Sequence, residues 1–469
     1  MVPYFPKMIS NKGIMLYFIA VAVVGIMYSR FFMPFMFLVF GIAEVLLFFL
    51  CSSQYSRQWL LMPTKAFEKQ VIGVAFLIRA IWVVFSYFYY KGQTGIPFEF
   101  NPGDALYYYE ESEWLTKESI PSIWYYMVTI QKSVSDSGYL IYLALIQKIV
   151  GYNIILVRFV KALLSAFTCV LIFRLANRTF GEKVARMACV FAVFMPNLII
   201  YCGLHTKETE MLFFIVAFLE RCDYLLKSKK YTFWSITLPI LLGIYLFFFR
   251  TALGAVAVLS LITALIFLPS QKIKKGKRAL TFLWIVVAAL VLAGGTIANE
   301  VEWLWNDRNA NQEQKRIQQE SRGSQWVKYA TGSVLAPMIF VMPFATMVDT
   351  SGGGQYNQML IHGGNYVRNF MGVFVLLTLF DAFFKKKNWR DFALIGSFTA
   401  GYLIVVALSS FASSERFLLP GLPGLVMFWA FGISELNVKR MKFVKAWYVV
   451  VPLMEIGWAY FKLGNRGML

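Results

Sequence analysis

The chain is 469 residues long, 59% of them hydrophobic and only 15% charged, with 45 phenylalanines. A soluble domain carries about 25% charged residues, whereas here apolar runs of roughly 17–25 residues, long enough to cross a bilayer, recur along the whole length. The formal charge of +20 does not point to nucleic acid, because Lys and Arg fall mainly in short loops between apolar runs, as in the cytoplasmic loops of membrane proteins.

Taken in chain order, Lys7 and Lys12 precede an apolar run at 14–28 with no small-residue cleavage site behind it. This predicts an uncleaved signal anchor. Further spans are predicted at 31–51, 71–90, 152–175, 184–201, 208–225, 232–249, 251–269, 280–297, 366–384, 392–409, 418–436 and 446–461, about thirteen in all. The fold class expected is an all-α polytopic membrane protein forming a single integral membrane domain over 1–469. Segment 139–150 is too short to span and is expected along the interface. Segment 334–348, which holds Pro337 and Pro343, is expected to be re-entrant or interfacial.

The basic clusters Arg57/Lys65/Lys69, Arg174/Arg178/Lys183/Arg186, Lys227/Lys229/Lys230, Lys272–Arg278, Lys385–Lys387/Arg390 and Lys439–Lys445 are assigned to the cytoplasm. With that parity the 91–138 loop, the 202–207 turn, the turn at Arg250, the 298–365 loop and the 410–417 loop are all external. The five cysteines show no CxxC spacing and read as small core residues.

The chemistry-bearing residues gather in these external segments. Asn101–Trp114 combines Asp104, Glu110, Glu111 and Glu113 with Tyr107, Tyr108, Tyr109 and Trp114. Solvated acids clustered at a membrane face are a functional signal in a chain this apolar. Each candidate also has a plain structural reading. Asp104 suits a helix N-cap. Glu110 and Glu113 suit a solvated helix face, with Tyr107, Glu111 and Trp114 on another, and the aromatics suit an interfacial belt. Lys207, Glu208 and Glu210 suit an interfacial salt bridge with snorkelling stems. Arg250 sits between two apolar runs and must reach water, a carboxylate or a phosphate; Arg416 suits helix-end anchoring beside Glu415. Five ionisable residues, Arg79, Arg158, Lys161, Asp381 and Glu455, fall inside or beside apolar runs and require partners there.

There are two histidines, His205 and His362. No His/carboxylate cluster has ligand spacing, so no metal site is assigned; a divalent ion on Asp104 with Glu208 or Glu210 is the one metal reading the sequence leaves. His205 reads as an interfacial polar residue. Gly352–Gly354 and His362–Gly364 read as a flexible external loop that would act as a lid, and 299–328 as a solvated external helix of mixed charge.

Gly103-Asp104-Ala105-Leu106-Tyr107, the stretch Arg158–Pro196 with Arg174-Leu175-Ala176-Asn177-Arg178, and Glu415-Arg416-Phe417-Leu418-Leu419-Pro420 together resemble the GT-C superfamily of polyprenyl-phosphate-sugar-dependent glycosyltransferases. The likeness is to its bacterial protein-mannosyltransferase-like and aminoarabinose-transferase-like branch, and covers most of residues 70–435. Asp104 lacks the adjacent second acid of many relatives, and the first two spans look like an addition.

The resemblance implies a GT-C-like bundle with amphipathic helices in the first long external loop. It implies an inverting, envelope-directed transferase in a bacterial inner membrane, with its site facing the periplasm. The donor would be a polyprenyl-phosphate-linked sugar and the acceptor a glycan, lipid or protein. Asp104 would be the base, and Lys207, Arg250 and Arg416, with Glu208, Glu210, Tyr107 and Glu111, would bind substrate. The competing readings are a polymerase or ligase acting on undecaprenyl-diphosphate-linked repeats, and a lipid-glycan flippase or other transporter.

Overall fold

The computed structural model describes residues 2–125, 135–228, 232–268, 338–350, 355–385, 389–408, 414–464 and 468. The predicted span 280–297, the mixed-charge stretch 299–328 and Gly352–Gly354 lie outside the described residues.

Helices make up the fold. The principal ones are α1 (Lys7–Met27), α2 (Phe35–Gln58, widened by a π-turn at Leu47–Cys51), α3 (Thr64–Thr94), α4 (Gly103–Lys117) and α5 (Ser137–Val150). There follow α6 (Ile154–Phe180), α7 (Glu182–Phe194), α8 (Pro196–Ile200), α9 (Glu208–Lys227), α10 (Phe233–Phe249) and α11 (Thr251–Phe267). After the undescribed segment come α12 (His362–Lys385), α13 (Trp389–Ala407), α14 (Glu415–Ser434) and α15 (Val438–Gly464).

Among the described residues seven helices (α1, α2, α3, α6, α12, α13 and α14) are long and apolar enough to cross a membrane. The bent pair Glu182–Phe194 and Pro196–Gly203 supplies an eighth if counted as one span. The helices α10 and α11 are apolar but shorter, 17 residues each. The single β contact among described residues is an isolated bridge, Phe32 to Val348.

Local sequence sets the helix ends. Gly95 and Gly181 take φ of 81° and 88°, the left-handed region open to glycine, directly after α3 and α6. Asn153 caps α6 by accepting from the Ile155 and Leu156 amides, and Thr232 with Ser235 forms a capping box on α10.

Every ionisable residue that the sequence placed within apolar runs has found a partner. Asp381 pairs with Arg440, and the Glu455 carboxylate accepts from the Ala345 amide at 2.9 Å. Lys161 pairs with Glu210, and Arg158 donates to the Pro97 carbonyl at 2.7 Å.

Arg79 has the most specific task. Pro196 has no N–H to give the Ala192 carbonyl four residues back, and the chain bends by 54° there. From α3, the Arg79 guanidinium donates to the Ala192 and Val193 carbonyls at 3.1 and 3.2 Å, and to Ser165 Oγ at 2.7 Å. Backbone acceptors freed by the bend are thus satisfied by one buried side chain.

Of the 334–348 segment, expected to be re-entrant or interfacial, the described part from 338 on is irregular, buried and wrapped by protein. Asn369 donates to its Val341 and Pro343 carbonyls. The expectation of a flexible loop at His362–Gly364 is corrected: these residues form the buried first turn of α12. Their glycines permit close contact, not motion. A Cβ on Gly363 would lie 2.6 Å from the Gly41 carbonyl oxygen, and the Gly364 amide donates to Glu44 on α2 at 2.7 Å. His362 bonds Tyr17 at 2.8 Å and the Met359 carbonyl at 2.6 Å, locking the turn against α1.

Charges divide between the two ends of the bundle. At one end Arg174 holds Glu68 bidentately, Arg178 meets Glu220 and Asp223, and Arg186 meets Glu182. Arg440 with Asp381 and Glu435 lies at this same end. These are residues of the loops assigned to the cytoplasm by charge. The other end carries the candidate site.

Replacing Arg79 by Met is expected to strand the Ala192 and Val193 carbonyls and destabilise the fold by about 2–4 kcal/mol. Thermal unfolding of the purified protein in detergent measures this.

Candidate functional site

The site is assembled where α3 ends, α4 and α5 pack on each other, and α6, α9, α11 and α14 begin. The helix α4 packs by Ala105, Tyr108, Ser112 and Leu115, a face at helical spacing. Tyr108 meets Tyr139 of α5 edge-on at 4.9 Å, and Gln147 donates to Ser112 at 3.0 Å. This docking fixes where Asp104 stands.

Asp104 is the second residue of α4, and its side chain makes no capping bond. The N-cap reading is therefore corrected. The carboxylate instead accepts from Arg416 Nη1, while Arg416 Nε donates to Glu208. One guanidinium joins three elements that are distant in sequence: α4, the start of α9 and the start of α14. The geometry is graded from wet to dry, since Asp104 is 59% exposed, Arg416 23% and Glu208 wholly buried. A planar guanidinium suits such a bridge because its donors point in fixed, divergent directions.

Lys207 and Glu210 belong to the same end. Lys207 precedes α9, and Glu208 and Glu210 lie in that helix's first turn, where its dipole favours negative charge. The Lys207 ammonium is buried against the carboxylate of Asp136, with the Phe249 carbonyl at 3.4 Å. Burial pushes the Lys207 amine well below the usual lysine range, and neighbouring Arg250 pushes it the same way. Glu210 is 3.5 Å from Lys161, which also donates to the carbonyls of Leu204 (2.8 Å) and Thr206.

Arg250 stands at the junction of α10 and α11. It lies over the Phe417 ring at 4.4 Å and donates to the Tyr402 hydroxyl at 3.3 Å. Among the described residues no carboxylate is in ion-pair contact with it. Tyr107 and Glu111 follow Asp104 along one stripe of α4, on the partly exposed side of that helix.

The structure thus brings Asp104, Lys207, Glu208, Glu210, Arg250 and Arg416 to one end of the bundle. The snorkelling salt bridge expected for Lys207, Glu208 and Glu210 gives way to a buried network with separate partners for each. Two further acids belong to it. Asp136 was hidden in an Asp-Ser-Gly stretch that reads as plain loop. Glu99, between Phe98 and Phe100, is buried facing Arg158 and Lys161, and burial raises its carboxyl above the usual range. His205 is buried between Phe98 (5.8 Å) and Tyr109 (5.9 Å), where burial pushes its imidazole well below the usual histidine range, and is not left at the interface.

Among the described residues no group of three or more His, Cys, Asp and Glu side chains is placed to hold a metal ion. Between Asp104 and Glu208, the carboxylates that the sequence could have offered a cation, lies the Arg416 guanidinium.

Removing Arg416 leaves Glu208 as a buried, uncompensated charge. Arg416→Met is expected to cost about 3–5 kcal/mol of stability, and adding Glu208→Gln is expected to restore much of it. Unfolding of the single and double variants in detergent measures the coupling.

No protein-family model matches the chain, and no curated protein matches it significantly. Among solved structures it is similar to the oligosaccharyltransferase of Archaeoglobus fulgidus. The form tethered to an acceptor peptide with the NVT sequon gives a TM-score of 0.47 and 12% identity, over 87% of this chain and 56% of that one. The complex with zinc and sulfate gives 0.46 and 12%, over 85% and 53%. The complex with an inhibitory peptide and a dolichol-phosphate gives 0.46 and 12%, over 86% and 56%. The chain spans about half the length of these structures.

Proposed function

We propose that this protein is a membrane glycosyltransferase of the GT-C type. It would move a sugar from a polyprenyl-phosphate-linked donor to a glycan, lipid or protein acceptor at the external face of a bacterial inner membrane. One observation carries the reading: an exposed carboxylate, Asp104, shares one end of the bundle with the cations Arg416, Lys207 and Arg250. That end lies opposite the arginine-rich helix ends that charge assigns to the cytoplasm.

The division of labour follows from the partners. Arg416 Nη1 holds Asp104 through Oδ2, so Oδ1 is the oxygen that would take the proton from an acceptor hydroxyl. As the acceptor oxygen bonds to the anomeric carbon, the bond from that carbon to the phosphate oxygen breaks, and its electron pair leaves with the phosphate. Lys207 and Arg250 are the cations suited to that leaving charge. Arg416 is less suited, being already neutralised by two carboxylates, and acts as a positioning residue for Asp104. Glu208 and Glu210 act through the cations they hold. Tyr107 and Glu111, on the Asp104 stripe of α4, would line the acceptor side.

Two outcomes test this. Asp104→Asn is expected to lower transfer from polyprenyl-phosphate sugars by about 10²–10⁴-fold, with little change in melting temperature because the side chain is exposed. Equal transfer by wild type and variant would remove Asp104 as the base, and loss of wild-type transfer with EDTA would add a metal to the site. Lys207 binds phosphate only when protonated and is pushed below the usual lysine range. Donor affinity should therefore fall as pH rises, earlier than for an ordinary lysine, and Lys207→Arg should hold affinity to higher pH. KM for the donor as a function of pH measures this.

A further inference from the structure

Lys207 and Asp136 make an asymmetric pair. The Lys207 side chain is 3% exposed and lies buried at the start of α9. Asp136 is 43% exposed and sits at the N-cap of α5. Its φ of 73° lies in the left-handed region, which Asp tolerates better than most residues. It does not cap α5 with its side chain. Among the described residues the carboxylate has one ion-pair partner, the ammonium, and its side chain reaches solvent.

A buried ammonium beside a second cation needs an anion in contact to stay charged. We propose that Asp136 is an exchangeable counter-ion: the phosphate group of a lipid carrier displaces it, taking its place on Lys207 beside Arg250 while the aspartate turns into water. The exchange replaces one anion by another, so the buried ammonium is never left without a counter-charge. It also lets the phosphate arrive without desolvating a bare cation first, since the cation already lies in a dry, paired setting. The same geometry makes Asp136 a competitor. It sets how tightly the phosphate is held, and helps the spent lipid phosphate to leave. This deepens the reading of the site as one for a lipid phosphate and rests on it.

The test measures binding without turnover. Full-length protein in nanodiscs is titrated with farnesyl phosphate, inorganic phosphate and farnesol, following tryptophan fluorescence, for wild type, Asp136→Asn and Asp136→Gly. Glycine suits the backbone angle and guards against misfolding of the first variant. Both variants are expected to bind farnesyl phosphate about fivefold or more tightly than wild type, a coupling of ordinary size for a partly exposed charge. The gain should shrink at high salt, vanish in the Asp136→Asn/Lys207→Met double variant, and be absent with farnesol. An equal gain with inorganic phosphate assigns the exchange to the phosphate alone; a gain confined to farnesyl phosphate assigns it to the lipid headgroup.

Unchanged or weaker binding by both folded variants overturns the proposal, and shows Asp136 to be a support for Lys207. If the variants gain affinity but wild type transfers no sugar, the transferase reading falls and the counter-ion stands. If wild type transfers sugar and the variants gain nothing, the counter-ion falls alone.

Discussion

A charge or an open backbone acceptor within an apolar bundle must be answered from inside the protein, because lipid offers nothing in exchange. This constraint arranges the molecule. Arg79 answers the carbonyls opened by Pro196, Glu455 answers the amide of an irregular segment, and Arg440 answers Asp381. At the other end Arg416 answers Glu208 and has a donor left for Asp104. The contact that brings the α4 carboxylate to the mouth of the bundle thus also solves a burial problem beneath it. Structure and chemistry share one guanidinium.

The helices were legible in the sequence because apolar runs of bilayer length have few other stable forms. The seven long apolar helices coincide with runs read directly, and the basic residues Arg174, Arg178, Arg186 and Arg440 gather at one end as their spacing predicted. Helix α9 shows where that reading thins. Its acids at 208, 210, 220 and 223 pair at its two ends, so its composition alone does not resemble a simple span. The glycines at 363 and 364 misled for a related reason: a glycine run reads as loop, but between two helices it also lets backbones approach, and periodicity cannot separate the two.

The site was legible by type and illegible by pairing. Asp104, Lys207, Glu208, Arg250 and Arg416 could be singled out because charged residues at the ends of apolar runs are rare and expensive. Nothing in the spacing could say that Arg416 would take both Asp104 and Glu208, or that Lys207 would reach Asp136. Those partners lie 312, 208 and 71 residues apart and are fixed by how α4 and α5 dock. Asp136 carried no signal of its own, since one aspartate before Ser-Gly resembles any turn.

The Pro196 break has a consequence for how this half of the bundle can move. A proline bend is often a joint, since the freed carbonyls exchange partners at little cost. Here Arg79 clasps both acceptors on the inner side while its own helix, α3, runs on toward α4 and the site. The bend is therefore an elbow in a splint. Any flexing of α7 against α8 must break these bonds or carry α3 with it, so the kinked helix and α3 are tied where Arg79 crosses between them.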